Sequence, residues 1–215
     1  MRKRFMTDQS EINEYVNRWF AAEDEVLQWV QQTSREQGLP PISVQPFEGK
    51  LLHMLVHLIG ARKAVEIGTL GGYSGIWLAR ALPDDGQLFT LDISEKHAEV
   101  ARAAFERAKV SDKVEIWVGN ANENLHRLDA SGPFDFIFID ADKTSYPQYL
   151  TWSIENLRKG GIVCAHNALR RGAVIQPEGE DNLALAEFNR RIAEDERLMG
   201  HLLTIGDGLA VGVRK

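Results

Sequence analysis

The 215 residues carry 31 Asp and Glu against 25 Lys and Arg, a formal charge of -6, and 44% of them are apolar. That apolar share supplies the core of one α/β domain, while the acidic balance speaks against a polyanion as main partner, because phosphate backbones are held by excess Lys and Arg. The one cysteine, Cys164, cannot pair within the chain, and no apolar run approaches the roughly 18 residues of a membrane span. Met1-Arg2-Lys3-Arg4 has the charge of a signal n-region, but Asp8, Glu11 and Glu14 follow where it would turn apolar, so a cytoplasmic protein is expected.

Ser10 reads as the cap of an amphipathic helix over 10–37, in which Ile12, Tyr15, Val16, Trp19, Phe20, Val26, Leu27 and Val30 recur at helical spacing. Gly38-Leu39-Pro40-Pro41 ends it. A second helix over 48–59 presents Leu51, Leu52, Leu55, Leu58 and Ile59 and stops at Gly60. Strand candidates then alternate with helical patterns: Lys63–Ile67, 87–91, 113–118, Phe134–Ile139 and 161–165, with helices over 73–82, 94–109, 122–129 and 145–158 between them. This alternation predicts βαβ units. The stretch 178–181 reads as an exposed loop, and the tail, 201–205 and 209–213 around Gly206-Asp207-Gly208, as a hairpin. The expected fold is α/β: a doubly wound, mostly parallel seven-stranded sheet, Rossmann-like, with an antiparallel C-terminal hairpin and N-terminal helices. One domain is expected over 1–215, with 1–60 as a helical cap and 61–215 as the α/β core.

Ligands of such sheets bind beyond the carboxyl ends of the strands, so the residues after each strand carry the functional reading. The first strand runs into Gly68-Thr69-Leu70-Gly71-Gly72-Tyr73-Ser74, a turn whose glycines let a ligand approach the backbone. The dinucleotide fingerprint fails, because Leu70 stands where its second glycine belongs. Asp92 ends the second strand where a carboxylate accepts from ribose hydroxyls, and Gly119-Asn120-Ala121 after the third is small enough to admit a flat ring. Tight turns and a helix cap at Asp92 are the plainer account of the same residues. The fourth strand delivers Asp140 and Lys143, the fifth His166 and Asn167. Neighbouring strand ends bring these together, and carboxylate, imidazole and amide oxygen make a mixed metal-ligand set, although each alone is also a common turn or cap residue.

Val65-Glu66-Ile67-Gly68-Thr69-Leu70-Gly71-Gly72-Tyr73-Ser74 together with Phe138-Ile139-Asp140-Ala141-Asp142-Lys143 resembles the metal-dependent O-methyltransferases, the family of the caffeoyl-CoA, catechol and related bacterial enzymes. The resemblance runs from about residue 40 to the C-terminus and implies a class I methyltransferase fold binding S-adenosylmethionine. It implies Glu66, Gly68 and Ser74 at the methionine portion, Asp92 at the ribose, Ala121 at the adenine edge, Val44 from the cap segment, and Asp140 beside the cofactor. It also implies a divalent cation, Mg²⁺ or Mn²⁺, on Asp140, residue 166 and Asn167. The family has aspartate where this chain has His166. Neutral imidazole there weakens a site for hard Mg²⁺ and favours a transition metal, or it marks a decayed metal site.

Lys143 matches the family's base, positioned to take the acceptor's proton, with Asp140 beside it and Asp142 orienting it. The implied partner is a small hydroxylated acceptor, catechol-like, in a homodimer formed through the aromatics of the N-terminal helix. Two alternatives stand beside it: a tRNA methyltransferase acting on a hydroxylated base, with Arg170-Arg171 and Arg190-Arg191 on phosphates, and a cofactor-binding protein without catalysis. Cys164 is expected in the core, Trp19 and Trp29 in packing or a dimer surface, and His53, His57 and His97 on helices without a functional role.

Overall fold

The structure, a computed structural model, describes residues 9–215; Met1-Arg2-Lys3-Arg4 and Asp8, read above against a signal peptide, lie outside the described residues. The N-terminal segment is two helices, α1 (Gln9–Phe20) and α2 (Glu25–Glu36), instead of the one expected over 10–37. The apolar spacing carries on across the join, but Asp24 breaks the backbone ladder: its carboxylate accepts from the Leu27 N–H at 3.0 Å and caps α2. Ser10 lies within α1, not ahead of it. Then come α3 (Pro46–Leu58), β1 (Lys63–Ile67), α4 (Tyr73–Ala81), β2 (Gln87–Asp92), α5 (Glu95–Arg107), β3 (Val114–Val118), α6 (Ala121–Leu128), β4 (Phe134–Ile139), α7 (Tyr146–Asn156) and β5 (Leu157–His166). The chain closes with α8 (Glu180–Glu194), β6 (Leu198–Leu203) and β7 (Leu209–Arg214).

The seven strands form one sheet in the order β3-β2-β1-β4-β5-β7-β6. β1 to β5 pair in parallel, and β7 pairs antiparallel with both β5 and β6. This is the expected doubly wound sheet with its antiparallel hairpin, and the order reverses between β1 and β4, which opens a crevice at their carboxyl ends. Alternate side chains divide between the two faces: Phe136, Phe138 and Cys164 pack with Leu52, Ile76 and Phe105 on one side, while Ile137, Ile139 and Val163 pack with Tyr146, Leu150 and Phe188 on the other. Cys164 is a fully buried core residue whose thiol pKa is pushed up by burial.

Two local expectations fail in the tail. The stretch 178–181 is no simple loop, because Glu180 and Asp181 form the acidic first turn of α8, which buries Leu185, Phe188 and Ile192 at helical spacing. β6 begins at Leu198, earlier than the 201–205 expected, because its register is set by pairing with β7, Leu198 opposite Arg214 and Leu203 opposite Leu209. Among the described residues, no helix is long and apolar enough to cross a membrane.

Candidate active site

The turn after β1 is shaped by backbone demands. Gly68 has φ 106, and a side chain there would run into the carbonyl oxygen of Asp140 at the end of the neighbouring β4. Leu70, which breaks the dinucleotide fingerprint, takes a left-handed φ of 46 and points its N–H at Asp92 Oδ2, 2.8 Å away. Such a conformation is strained for a branched side chain and is held by its surroundings. The other Asp92 oxygen accepts from the Ser94 N–H at 2.9 Å and lies 3.0 Å from His97 Nδ1. His97, expected to have no role, is therefore part of this cluster, and it lines the same cavity as Asp92.

Beneath the turn Glu66 is fully buried. The Ser74 hydroxyl donates to its Oε1 at 2.6 Å and the Thr90 hydroxyl to its Oε2 at 2.7 Å, while Thr69 and Thr90 share a hydroxyl contact of 2.6 Å. Burial pushes the Glu66 carboxyl up to about 7 against the two hydroxyls, which lower it. Sequence reasoning missed Thr69 and Thr90; only the pairing of β1 with β2, Glu66 opposite Thr90, brings them in.

Two adjoining cavities, of about 450 Å³ and 380 Å³, open over these strand ends and share Ile42, Gly68, Leu70 and Asp140. Val44, Ser74 and Lys143 line the first; Asp92 and Ala121 line the second. Of the expected cofactor residues, Glu66 alone lines neither and reaches the site through Ser74. The pair offers a mixed donor–acceptor end by Ser74 and Asp140 and a flatter end where Leu91, Gly119 and Ala121 leave space. An adenosyl group with a charged amino-acid tail fits that division.

At the end of β4, Lys143 is buried and its Nζ lies 3.3 Å from Asp140 Oδ1 and against the Tyr146 hydroxyl. Tyr146 donates in turn toward the carbonyls of Ile139 and His166, at 3.2 and 3.1 Å. Burial lowers the Lys143 ammonium pKa, and Asp140 offsets that only in part. Burial acts to raise Asp140, but the hydrogen bond and charge of His166, and then Lys143, hold it below the usual carboxylate range. Asp142 takes a different part from the one expected. It accepts from the Ser145 N–H at 3.2 Å and the Tyr149 hydroxyl at 2.7 Å, which fixes the turn that carries Lys143 and leaves the ammonium to Asp140.

Of the three residues expected to hold a metal, Asp140 and His166 meet directly, but not as a free ligand set. His166 Nδ1 lies 3.1 Å from Asp140 Oδ2 and its Nε2 lies 3.1 Å from Glu48 Oε1. Both ring nitrogens are thus engaged by carboxylates, and an imidazole has no other ligating atom. Burial acts to lower this histidine, but hydrogen bonds to Asp140 and Glu48 prevail and hold it at about 9. Asn167 sits in a left-handed turn at φ 54 and lines the first cavity and a further one beside it. As arranged, these residues do not fit a divalent cation. Sequence reasoning missed Glu48, which stood only at the expected start of the second helix; in the structure it forms a capping box with Gln45 at the start of α3.

A family model described as O-methyltransferase matches residues 18–215. The catechol O-methyltransferase of Niastella koreensis is 42% identical over 166 residues, 76% of this chain and 75% of that protein. The O-methyltransferase from Bacillus cereus, solved in complex with SAH, superposes with a TM-score of 0.91 at 39% identity, covering 95% of this chain and 97% of that one. The O-methyltransferase TomG from Streptomyces achromogenes, solved with SAM, gives 0.91 at 36% identity over 98% of this chain and all of its own, 100%. The chain belongs to the O-methyltransferase family. That family, as the glycine turn and the Asp-Ala-Asp-Lys segment implied, comprises S-adenosylmethionine-dependent enzymes of the class I fold.

Proposed function

We propose that this O-methyltransferase binds S-adenosylmethionine across the two cavities and methylates a hydroxyl of a small catechol-like acceptor. Val44, Gly68, Ser74 and Asp140 line the half that suits the methionine portion, and Asp92 and Ala121 the half that suits ribose and adenine. When bound, the cofactor supplies a methyl group made electrophilic by a sulfonium. The observation that carries the reading is the buried Lys143 beside Asp140 at the cavity wall. Burial favours its neutral amine, which can accept the proton that the acceptor hydroxyl must lose. Asp140 orients that amine, and Tyr146 holds it from the other side. The acceptor has space in a third cavity of about 680 Å³ that adjoins the first through Ile42, Ser43, Asn167 and Arg170. Because His166 has no free ring nitrogen, each step assigned here uses the chain's own groups.

A tRNA acceptor finds less support. Arg190 is paired with Glu187 and Glu194, Arg191 holds the Pro147 carbonyl and the Thr151 hydroxyl, and Arg170 is paired with Asp181, so three of the four arginines expected on phosphates hold partners within the chain. The exposed Ile12, Tyr15, Trp19 and Phe20 of α1 support a homodimer; light scattering reporting a 24.2 kDa particle would count against it.

The deciding experiment incubates the protein with radiolabelled donor, a panel of catechols and, separately, bulk tRNA. Label in a catechol and none in tRNA is expected. Label in tRNA alone would replace the acceptor class, and no affinity for S-adenosylhomocysteine by calorimetry would refute the cofactor.

A further inference from the structure

We infer that this enzyme works without a divalent cation, because Glu48 and Asp140 grip the His166 ring by both nitrogens and leave it no atom to give a metal. This rests on the O-methyltransferase reading above and concerns the same site.

The hydrogen-bond inventory leads there first. A histidine that ligates a metal offers one nitrogen to the ion and donates from the other to a carboxylate or carbonyl. His166 instead has a carboxylate at 3.1 Å on each side, and an ionised carboxylate only accepts. Both nitrogens must then carry hydrogen, which makes the ring a cation with no lone pair to give a metal.

Charge agrees with this. With aspartate at 166, the cluster would hold three carboxylates around one site, an excess of negative charge that a divalent ion offsets. Exchanging that carboxylate for an imidazolium alters the local charge by the same amount as a divalent ion does. Asp140 and Glu48 now face His166, whose ring supplies from within the chain the positive charge that a divalent ion would otherwise bring.

The arrangement is also built in, not a chance rotamer. Glu48 and His166 are both nearly inaccessible to water, at 2% and 5% exposure. The second oxygen of Glu48 accepts from the Gln45 N–H at 2.7 Å, so the side chain cannot swing from the ring without opening the cap of α3. Gly206 closes the space behind it: a side chain there would collide with Glu48 Oε1. His166 and Asn167 also line the acceptor cavity. The ring therefore acts at that wall as a positioning residue: it holds Asp140, which in turn contacts Lys143.

The test uses the full chain, dialysed against EDTA, and follows Mn²⁺ binding by electron paramagnetic resonance alongside methyl transfer. The wild type should leave added Mn²⁺ free up to millimolar concentration, and its activity should not change on chelation. His166→Asp restores the family's carboxylate and should bind Mn²⁺, with activity that drops on the order of tenfold when chelator is added. A wild type that binds one Mn²⁺ per chain at micromolar concentration overturns the inference, whether or not an acceptor has been found and whether or not the variant folds. If no acceptor turns over while S-adenosylhomocysteine still binds, the proposed acceptor fails and the Mn²⁺ titration still decides the cation.

Discussion

The backbone N–H of Leu70 donates to Asp92 Oδ2 at 2.8 Å and so ties the glycine turn after β1 to the end of β2. The same carboxylate holds the Ser94 N–H at the start of α5. Asp92 therefore braces the wall of the cavity that it lines. Asp92→Ala should weaken S-adenosylhomocysteine binding by on the order of 1.5–3 kcal/mol, the range for hydrogen bonds to a charged group. It should also lower the melting temperature of the free protein, because Leu70 loses the partner of its strained conformation. Calorimetry that finds unchanged affinity would remove Asp92 from the cofactor site.

Glu66 and His166 both bind a proton more tightly in the folded chain, and both shape the slope of stability with pH. Glu66 titrates near about 7 against the usual 4.5, so its contribution is complete below the lower value and is lost as pH rises through the upper one. His166, at about 9 against 6.5, does the same one window higher. Denaturant unfolding should show stability falling across both windows. Glu66→Gln should remove the lower slope and stabilise the free protein near pH ~8 by on the order of 2 kcal/mol, since a neutral amide carries no buried charge. A variant equally destabilised at acid and alkaline pH would show that the Ser74 and Thr90 hydrogen bonds outweigh the buried charge.

Lys143 stands where the proton must go. Lys143→Met keeps the apolar stem and removes the amine, so kcat should drop by about 10²–10⁴, the range for a general base, with little change in S-adenosylhomocysteine affinity. Lys143→Arg should not restore activity, because guanidinium does not give up its proton in this range. Equal losses in binding and turnover would mean that Lys143 shapes the cavity and does not take the proton.

The parallel pairing of β1 with β4 sets Gly68 against the Asp140 backbone. Its φ of 106 and the Asp140 carbonyl opposite leave no place for a methyl group. Gly68→Ala should destabilise the protein by more than about 1–3 kcal/mol, the cost of one strained backbone position, and should displace Asp140. Loss of methyl transfer without any change in thermal unfolding would mean that the strain is absorbed locally.

The sequence alone determined the order of strands and helices in the α/β core, the positions at strand ends, and through its two motifs the family. These features follow from short-range chemistry: apolar periodicity within a segment, glycines where φ must be positive, and acidic or basic residues a few positions after a strand. The same signals failed where two helices shared one apolar register, as across Asp24, and where the stretch after Asn167 held α8 but opened with acidic residues that look like a loop.

What only the tertiary structure decided is who faces whom at the site. Thr90 reaches Glu66 because β1 and β2 pair in that register. Asp142 turns to Tyr149 because α7 rises directly above it. Glu48 meets His166 across 118 residues because α3 packs over the carboxyl end of β5. From the sequence, His166 was a neutral ligand one charge short of the family's aspartate. With Asp140 and Glu48 against its two nitrogens it has no atom left for a metal, and that difference comes from a hydrogen-bond partner supplied by packing, which no local pattern encodes.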